Sequence, residues 1–190
     1  MNRIIGFITL GILAMMVCIF PAAAEDQDTN EHYSATIVAL GGAAGSANAP
    51  IDIYIEKYST DEEAVSLAVL LREKGPDALL REMEKLDAGR VSIAGRSIGP
   101  IAMARSLEGN EGRTIRVIIA RNIAFLEHFH LTRSRDYPFS IIEMQVNEKG
   151  EWQGAAIAAA KIRFNDKEKQ FVVESMGQSS NLRLMNVRKW

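Results

Sequence analysis

Two histidines one residue apart come closest to a reaction centre in this chain. His128 and His130 lie in the stretch EHFHLTRSRDYPF, residues 127–139. If that stretch is extended, both imidazoles project from one face of a strand and could bind a single zinc ion. A catalytic zinc needs a third protein ligand, for which Asp136 and His32 are the candidates. Because no spacing here matches a metal signature, two solvated histidines are the simpler interpretation.

Arginines surround the same histidines. Arg121, Arg133 and Arg135 could together attract an anion or the acidic surface of a partner. The alternative is that they form surface salt bridges with Glu127 and Asp136, which is the commoner role of such arginines.

The sequence GRSIG, Gly95 to Gly99, matches the nucleophile elbow of serine hydrolases. An elbow requires a helix that begins at the serine, followed later in the chain by an acid and a histidine. Pro100 and the β-rich residues after it favour a strand instead, and only Glu108 or Glu111 with His128 could complete the triad. The pattern therefore predicts a glycine-flanked turn between two strands.

The N-terminal residues 1–24 have the pattern of a secretory signal peptide. Arg3 precedes an apolar run, and Ala22 and Ala24 occupy the small-residue positions of a cleavage site. We expect cleavage near Ala24 and a periplasmic or extracellular location. An uncleaved membrane anchor is the alternative, because the run is nearly long enough to span a bilayer. Cys18, the single cysteine, lies in this segment, so the mature chain would have no disulfide.

Composition predicts a single domain. The polar residues 25–31 are expected to be disordered, and residues 32–190 to form one α+β domain. The net charge is −2 and its signs are interspersed, so nucleic acid is not an expected partner. An envelope protein or a small ligand is expected, with membrane contact only through an uncleaved signal segment. No cofactor is predicted, apart from the zinc considered above.

Periodicity predicts the fold class. Residues 51–56 alternate apolar and polar side chains, which indicates a strand with one buried face. Residues 59–75 carry helix-capping signals, and residues 76–86 carry the apolar stripe of a second helix. Residues 152–164 are rich in alanine, but turn signals flank them, so we predict a strand there. The expected fold is a two-helix hairpin packed on a mostly antiparallel meander of about six strands.

Three stretches carry a resemblance to known proteins: YSTDEEAVSL, DALLREMEKLDAGR and RSRDYPFSIIEMQVNEKGEWQG, with the closing LRLMNVRKW. In these stretches, from about residue 58 to the end, the chain resembles a group of uncharacterised exported bacterial proteins. The resemblance implies a bacterial origin and an exported location, and no activity.

The preferred interpretation is a non-enzymatic binding or interaction domain that uses a sheet edge or the Arg121–Asp136 region. The alternatives are a small envelope hydrolase or metalloenzyme centred on His128 and His130, and a carrier that encloses an apolar ligand within a curved sheet.

The metalloenzyme alternative makes a direct prediction. Protein purified without chelator should contain about one equivalent of zinc by elemental analysis, and the double variant His128→Ala/His130→Ala should lose it. Metal-free wild-type protein would contradict that alternative.

Overall fold

Antiparallel strands form one continuous sheet that curls into a half-barrel, and two helices pack against it. The structure is a computed structural model that describes residues 28–39, 47–109, 112–121, 136–147, 149–176 and 182–190. The strands are β1 (Asp28–Ala39), β2 (Ala47–Lys57), β3 (Gly89–Ile93), β4 (Arg96–Pro100), β5 (Met103–Gly109), β6 (Gly112–Ile119), β7 (Phe139–Val146), β8 (Trp152–Asn165), β9 (Gln170–Ser175) and β10 (Leu182–Lys189). The helices are α1 (Asp61–Lys74) and α2 (Pro76–Met83). The order in the sheet is β4-β3-β2-β1-β10-β8-β7-β6-β5, with β9 paired to β8.

The predicted α+β class, with two helices on a mostly antiparallel sheet, is confirmed. The predicted count of about six strands is wrong, since the sheet has ten strands within the described residues alone. Because β1 pairs with both β2 and β10, the two halves of the chain are joined into one sheet. Residues 152–164 lie in β8, as predicted.

The start of the domain differs from the prediction of disorder over residues 25–31. Asp28–Glu31 belong to β1, where Asp28 pairs with Lys57 and Glu31 with Ile55 of β2. Strand pairing thus orders polar residues that local composition would leave unfolded. The predicted signal peptide and residues 25–27 lie outside the described residues. Among the described residues, neither helix has the length and apolar character to cross a membrane.

The sheet curls far enough for its last strand to approach β2. Ser59, just after β2, donates its backbone N–H to the carbonyl oxygen of Ala104 in β5 at 2.7 Å. The Arg105 guanidinium donates a hydrogen bond to the Ser59 carbonyl oxygen at 3.0 Å. The curl encloses an inner core of side chains from nearly every strand, including Tyr33, Ile37, Ile53, Ile55, Val91, Ile101, Ile115, Val117, Ile142 and Met144.

Capping fixes the limits of the helices. The N-cap Thr60 accepts the backbone N–H of Glu63 at 3.2 Å, and the Glu63 carboxylate accepts the backbone N–H of Thr60 at 2.9 Å. This reciprocal pair is the predicted capping box. Gly75 ends α1 at a φ of +79°, and Pro76 begins α2.

The helices cover the outer face of only one part of the sheet. Leu67 and Leu71 of α1 and Leu79 and Met83 of α2 form a second cluster with Phe139, Ala160 and Ile162. The small Ala160 side chain in β8 lets the helices pack closely there. The outer face of β3, β2, β1 and β10 contributes no residue to this cluster.

Two of the register shifts in the sheet, in β8 and in β10, change which side chains face inward. In β8, Phe139 pairs with Ala160 but Ile141 with Ile157, so one extra residue shifts the alternation between the two faces. In β10, Thr36 of β1 pairs with Met185 and Ser34 with Arg188, again with one extra residue.

The bulge in β10 centres on Asn186, whose φ is +53°. Asparagine tolerates this left-handed conformation better than most residues do. The bulge moves the inward-facing positions from Leu182 and Leu184 to Val187 and Lys189. Trp190 therefore lies on the outer face.

Gly89 and Gly95 provide a matched test of the β2–β3 register. Both have positive φ, but a Cβ on Gly89 would lie 2.0 Å from the Tyr54 carbonyl oxygen, whereas one on Gly95 would contact nothing within 4 Å. We expect Gly95→Ala to lower the free energy of unfolding by about 1 kcal/mol and Gly89→Ala by more than about 3 kcal/mol. Urea denaturation measures both, and equal costs would contradict the close strand contact.

Candidate functional site

Four side chains stack in a row across the part of the outer face on which neither of the described helices packs. They are Arg90 of β3, Tyr54 of β2, His32 of β1 and Trp190 after β10, and we call them the aromatic row. The Arg90 guanidinium carbon lies 4.4 Å from the centre of the Tyr54 ring. The His32 and Tyr54 ring centres are 4.1 Å apart with the planes 9° from parallel, and those of His32 and Trp190 are 6.1 Å apart.

Strand register places these residues side by side. Tyr54 pairs with Arg90 and with His32, and the backbone N–H of Trp190 donates to the His32 carbonyl oxygen at 2.9 Å. Neighbouring strands are about 4.8 Å apart, which is close to the stacking distance of planar side chains. The row is thus a consequence of cross-strand pairing on one face of the sheet.

Trp190 is both exposed and held in place. The residue is 73% exposed, although its indole Nε1–H donates to Ser34 Oγ at 2.9 Å and one ring face lies towards His32. With one face covered by His32, the exposed area must include most of the other face. A large aromatic ring is therefore presented to solvent with its orientation fixed.

Polar residues adjoin the row. The Asp52 carboxylate is 3.1 Å from His32 Nε2, and Ser34 pairs with Arg188 across β1 and β10. An open cleft of about 450 Å³ is lined by Ser34, Thr36, Pro50, Asp52, Asn186 and Arg188. We call this feature the polar cleft. Because Ser34 bonds to Trp190 and also lines the cleft, the indole and the polar groups form one surface.

The inner face carries a different polar cluster, centred on Glu31. The two terminal nitrogens of Arg113 donate to the two Glu31 carboxylate oxygens, each at 3.1 Å. Tyr33 donates to Glu31 at 2.7 Å, and Tyr58 and the Lys189 ammonium also donate to it. The cluster joins β1, β6 and β10 across the inside of the curl.

These contacts shift the acid–base properties of the cluster. Burial alone would raise the pKa of Glu31, but hydrogen bonds from Arg113, Lys189 and the two tyrosines outweigh it and hold the pKa at about 2. Burial and the hydrogen bond to Glu31 both raise the pKa of Tyr58 well above its usual value, and the pKa of Tyr33 rises for the same reasons. Burial alone would lower the pKa of Arg113, but the hydrogen bond to Glu31 outweighs this effect and the pKa is raised.

The Glu31 cluster is therefore suited to holding strands together. At neutral pH its carboxylate is ionised and its tyrosines are protonated, so Glu31 is a poor general acid and the tyrosines are poor bases. The arginine, the lysine and both tyrosines all donate to the same carboxylate.

The residues proposed from sequence fall mostly elsewhere. His128, His130, Arg133 and Arg135 lie outside the described residues. The Arg121 carbonyl oxygen accepts a hydrogen bond from Ser140 Oγ at 2.7 Å, and its buried Nε atom has no hydrogen-bond partner within the described part of the chain.

The GRSIG motif does not form the predicted turn as a whole, since only Gly95 belongs to the turn and Arg96 to Gly99 lie in β4. Ala94 and Gly95, both with positive φ, connect β3 to β4, and Ser97 lies in β4 rather than at the start of a helix. The strained strand-to-helix turn of a nucleophile elbow is therefore not formed at these residues. Within the described ranges, no group of three or more His, Cys, Asp or Glu side chains could hold a metal ion.

A second open surface lies between α1 and the β8–β9 turn. A groove of about 410 Å³ there is lined by Val65, Val69, Phe164 and Phe171, with Arg72 and Lys169 among its charged neighbours. Val65 and Val69 are 42% and 37% exposed. Apolar patches of modest size are common on monomeric proteins, so the groove is a weaker candidate than the aromatic row.

Comparison of the chain with protein-family models, with curated proteins and with solved structures found no match. Function is therefore inferred from the site itself.

Sequence reasoning missed Trp190 and Glu31. Trp190 follows an alternating segment in which, without a bulge, it would share the inward face of Leu182 and Leu184. The signal that could have revealed the bulge is Asn186, a residue that tolerates positive φ. The polar composition of residues 25–31 predicted a disordered start, and the partners that order Glu31 lie far along the chain, 82 residues away for Arg113.

The Glu31 cluster predicts a specific pH dependence of stability. The folded pKa, at about 2, lies below the ordinary value of 4.5, so the ionised carboxylate stabilises the fold above pH 4.5 and this contribution is lost as the pH falls towards 2. Relative to wild type, Glu31→Gln should have a lower free energy of unfolding near neutral pH, and the difference should shrink below pH 4.5. Urea denaturation over a pH series measures it.

Glu108→Gln is the matched control. Glu108 lies 3.6 Å from the same Arg113 but is 76% exposed, so its removal should change stability little. A difference between wild type and Glu31→Gln that stays constant down to acidic pH would contradict the assigned pKa.

Proposed function

We propose that the protein is a non-enzymatic binding domain that recognises its ligand on the outer surface formed by the aromatic row and the polar cleft. The fixed and exposed indole of Trp190 carries this proposal. Tryptophan is among the residues that contribute most to binding energy at interfaces, because a rigid ring buries a large area at low entropic cost.

Preorganisation is the reason to prefer this surface. The hydrogen bonds of Trp190 to Ser34 and His32 and the stack on the His32 ring hold the indole before any ligand arrives. A ligand that contacts a ring already in place avoids the cost of ordering it. The rest of the row, Tyr54 and Arg90, supports His32 from the other side.

The carrier alternative is less well supported by the geometry. The space inside the curl is filled by buried side chains, among them Tyr33, Ile37, Ile53, Ile115 and Met144. An apolar ligand there would have to displace packed side chains. The outer surface requires no such rearrangement.

Export remains part of the proposal. The signal-peptide pattern of residues 1–24 supports a periplasmic or extracellular location, where the ligand would be encountered. The hydrolase or metalloenzyme alternative still depends on His128 and His130 and is decided by the zinc measurement described above.

The proposal predicts which nuclear magnetic resonance signals a ligand will move. We expect ¹⁵N–¹H spectra of the labelled protein, screened against separate pools of tetrasaccharides, nucleosides and tripeptides, to show one pool shifting the Trp190 indole N–H. The backbone amides of Ser34 and Arg188 should shift with it because they border the same cleft.

Trp190→Ala should abolish the shifts of the Ser34 and Arg188 amides, whereas Leu107→Ala, which removes another exposed apolar side chain, should leave all three shifts unchanged. The proposed function is wrong if no pool perturbs this surface, or if perturbations are confined to the groove beside α1.

A further inference from the structure

We infer that the ligand of this surface is a saccharide, bound with the flat face of a pyranose ring on Trp190 and its hydroxyl groups in the polar cleft. This inference rests on the proposed function and adds the chemical class of the ligand to it. It is carried by the juxtaposition of an exposed indole face with planar hydrogen-bonding side chains.

The indole provides the apolar half of the site. A pyranose ring presents C–H groups on its faces, and these carry slight positive charge. The face of an aromatic ring carries negative charge, which favours contact with such groups. Because His32 lies against one face of the Trp190 ring and the residue is 73% exposed, the other face can accept one sugar ring.

The polar cleft provides the other half. Hydroxyl groups at the edge of a sugar both donate and accept, so they need partners of both kinds. Asp52 accepts, Arg188 donates, and Asn186 can do both. One Asp52 oxygen is already bonded to His32, which fixes the orientation of the carboxylate.

Other ligand classes match the surface less well. A purely apolar ligand would bury charged groups of Asp52 and Arg188 without offering them a hydrogen bond, which is costly. A nucleic acid could stack on Trp190, but its phosphates need a surplus of positive charge. Here Arg90 and Arg188 are offset by Glu56 and Asp52, and the chain has a net charge of −2.

A single-tryptophan protein gives a direct test. The chain has two tryptophans, and Trp152→Phe leaves Trp190 as the only indole reporter. Trp152 packs against Tyr33 on the inner side, so phenylalanine preserves an aromatic contact there. The probes are tetrasaccharides of glucose, N-acetylglucosamine, galactose and mannose, titrated while the emission of Trp190 is followed. We expect at least one to produce a saturable change in emission.

Calorimetric titration of the same probe then assigns the contacts. In the otherwise native chain, Trp190→Ala should abolish measurable binding, and Asp52→Ala should weaken it about tenfold, as expected for loss of a charged hydrogen-bonding partner. Leu107→Ala should bind as wild type does. Thermal unfolding of each variant establishes that it is folded.

The outcomes separate the ligand class from the proposed function. Binding of nucleosides or tripeptides at Trp190, with no response to any of the four saccharides, would overturn the saccharide inference and leave the binding function intact. No response of this surface to any probe would overturn both. Saccharide binding that survives Trp190→Ala would also overturn the inference, because the ring would then be bound elsewhere.

Discussion

The pairing of β1 with β10 is the constraint on which the other features depend. It sets Tyr33 opposite Lys189 and Ser34 opposite Arg188, so neighbouring residues of each strand project to opposite faces. Inside the curl, Lys189 reaches the Glu31 carboxylate together with Arg113. On the outer face, the next residue, Trp190, stacks towards His32. One strand pair therefore closes the interior and presents the exposed indole.

The charged side chains on the two faces of this sheet differ in how far they are already paired. In the inner cluster four side chains donate to one ionised carboxylate, which leaves that carboxylate little hydrogen-bonding capacity for anything else. Charges buried in this way are costly unless they are fully paired, so the cluster stabilises one arrangement of the strands. On the outer face, Asp52 and Arg188 line an open cleft where an external molecule can reach them. This contrast directs the search for a ligand to the outer face.

Local sequence signals were sufficient for the helices and for much of the sheet. The reciprocal capping of Thr60 and Glu63, the turn at Gly75 and Pro76, and the strand through the alanines of β8 all follow from nearby residues.

Long-range strand pairing could not be predicted from the sequence in the same way. Strand order depends on contacts between residues more than 150 positions apart, such as Glu31 and Lys189, and periodicity carries no information about such pairs. The bulge at Asn186 added a second obstacle, because one extra residue inverts which side chains face solvent. The candidate site was missed for these two reasons.

A crystal structure of the protein with a tetrasaccharide bound would test the central claim most directly. The structural account predicts electron density for a pyranose ring parallel to the free face of the Trp190 indole, with hydroxyl groups within hydrogen-bond distance of Asp52 or Arg188. Density inside the curl among the core residues, or in the groove between α1 and the β8–β9 turn with Trp190 uncovered, would contradict it.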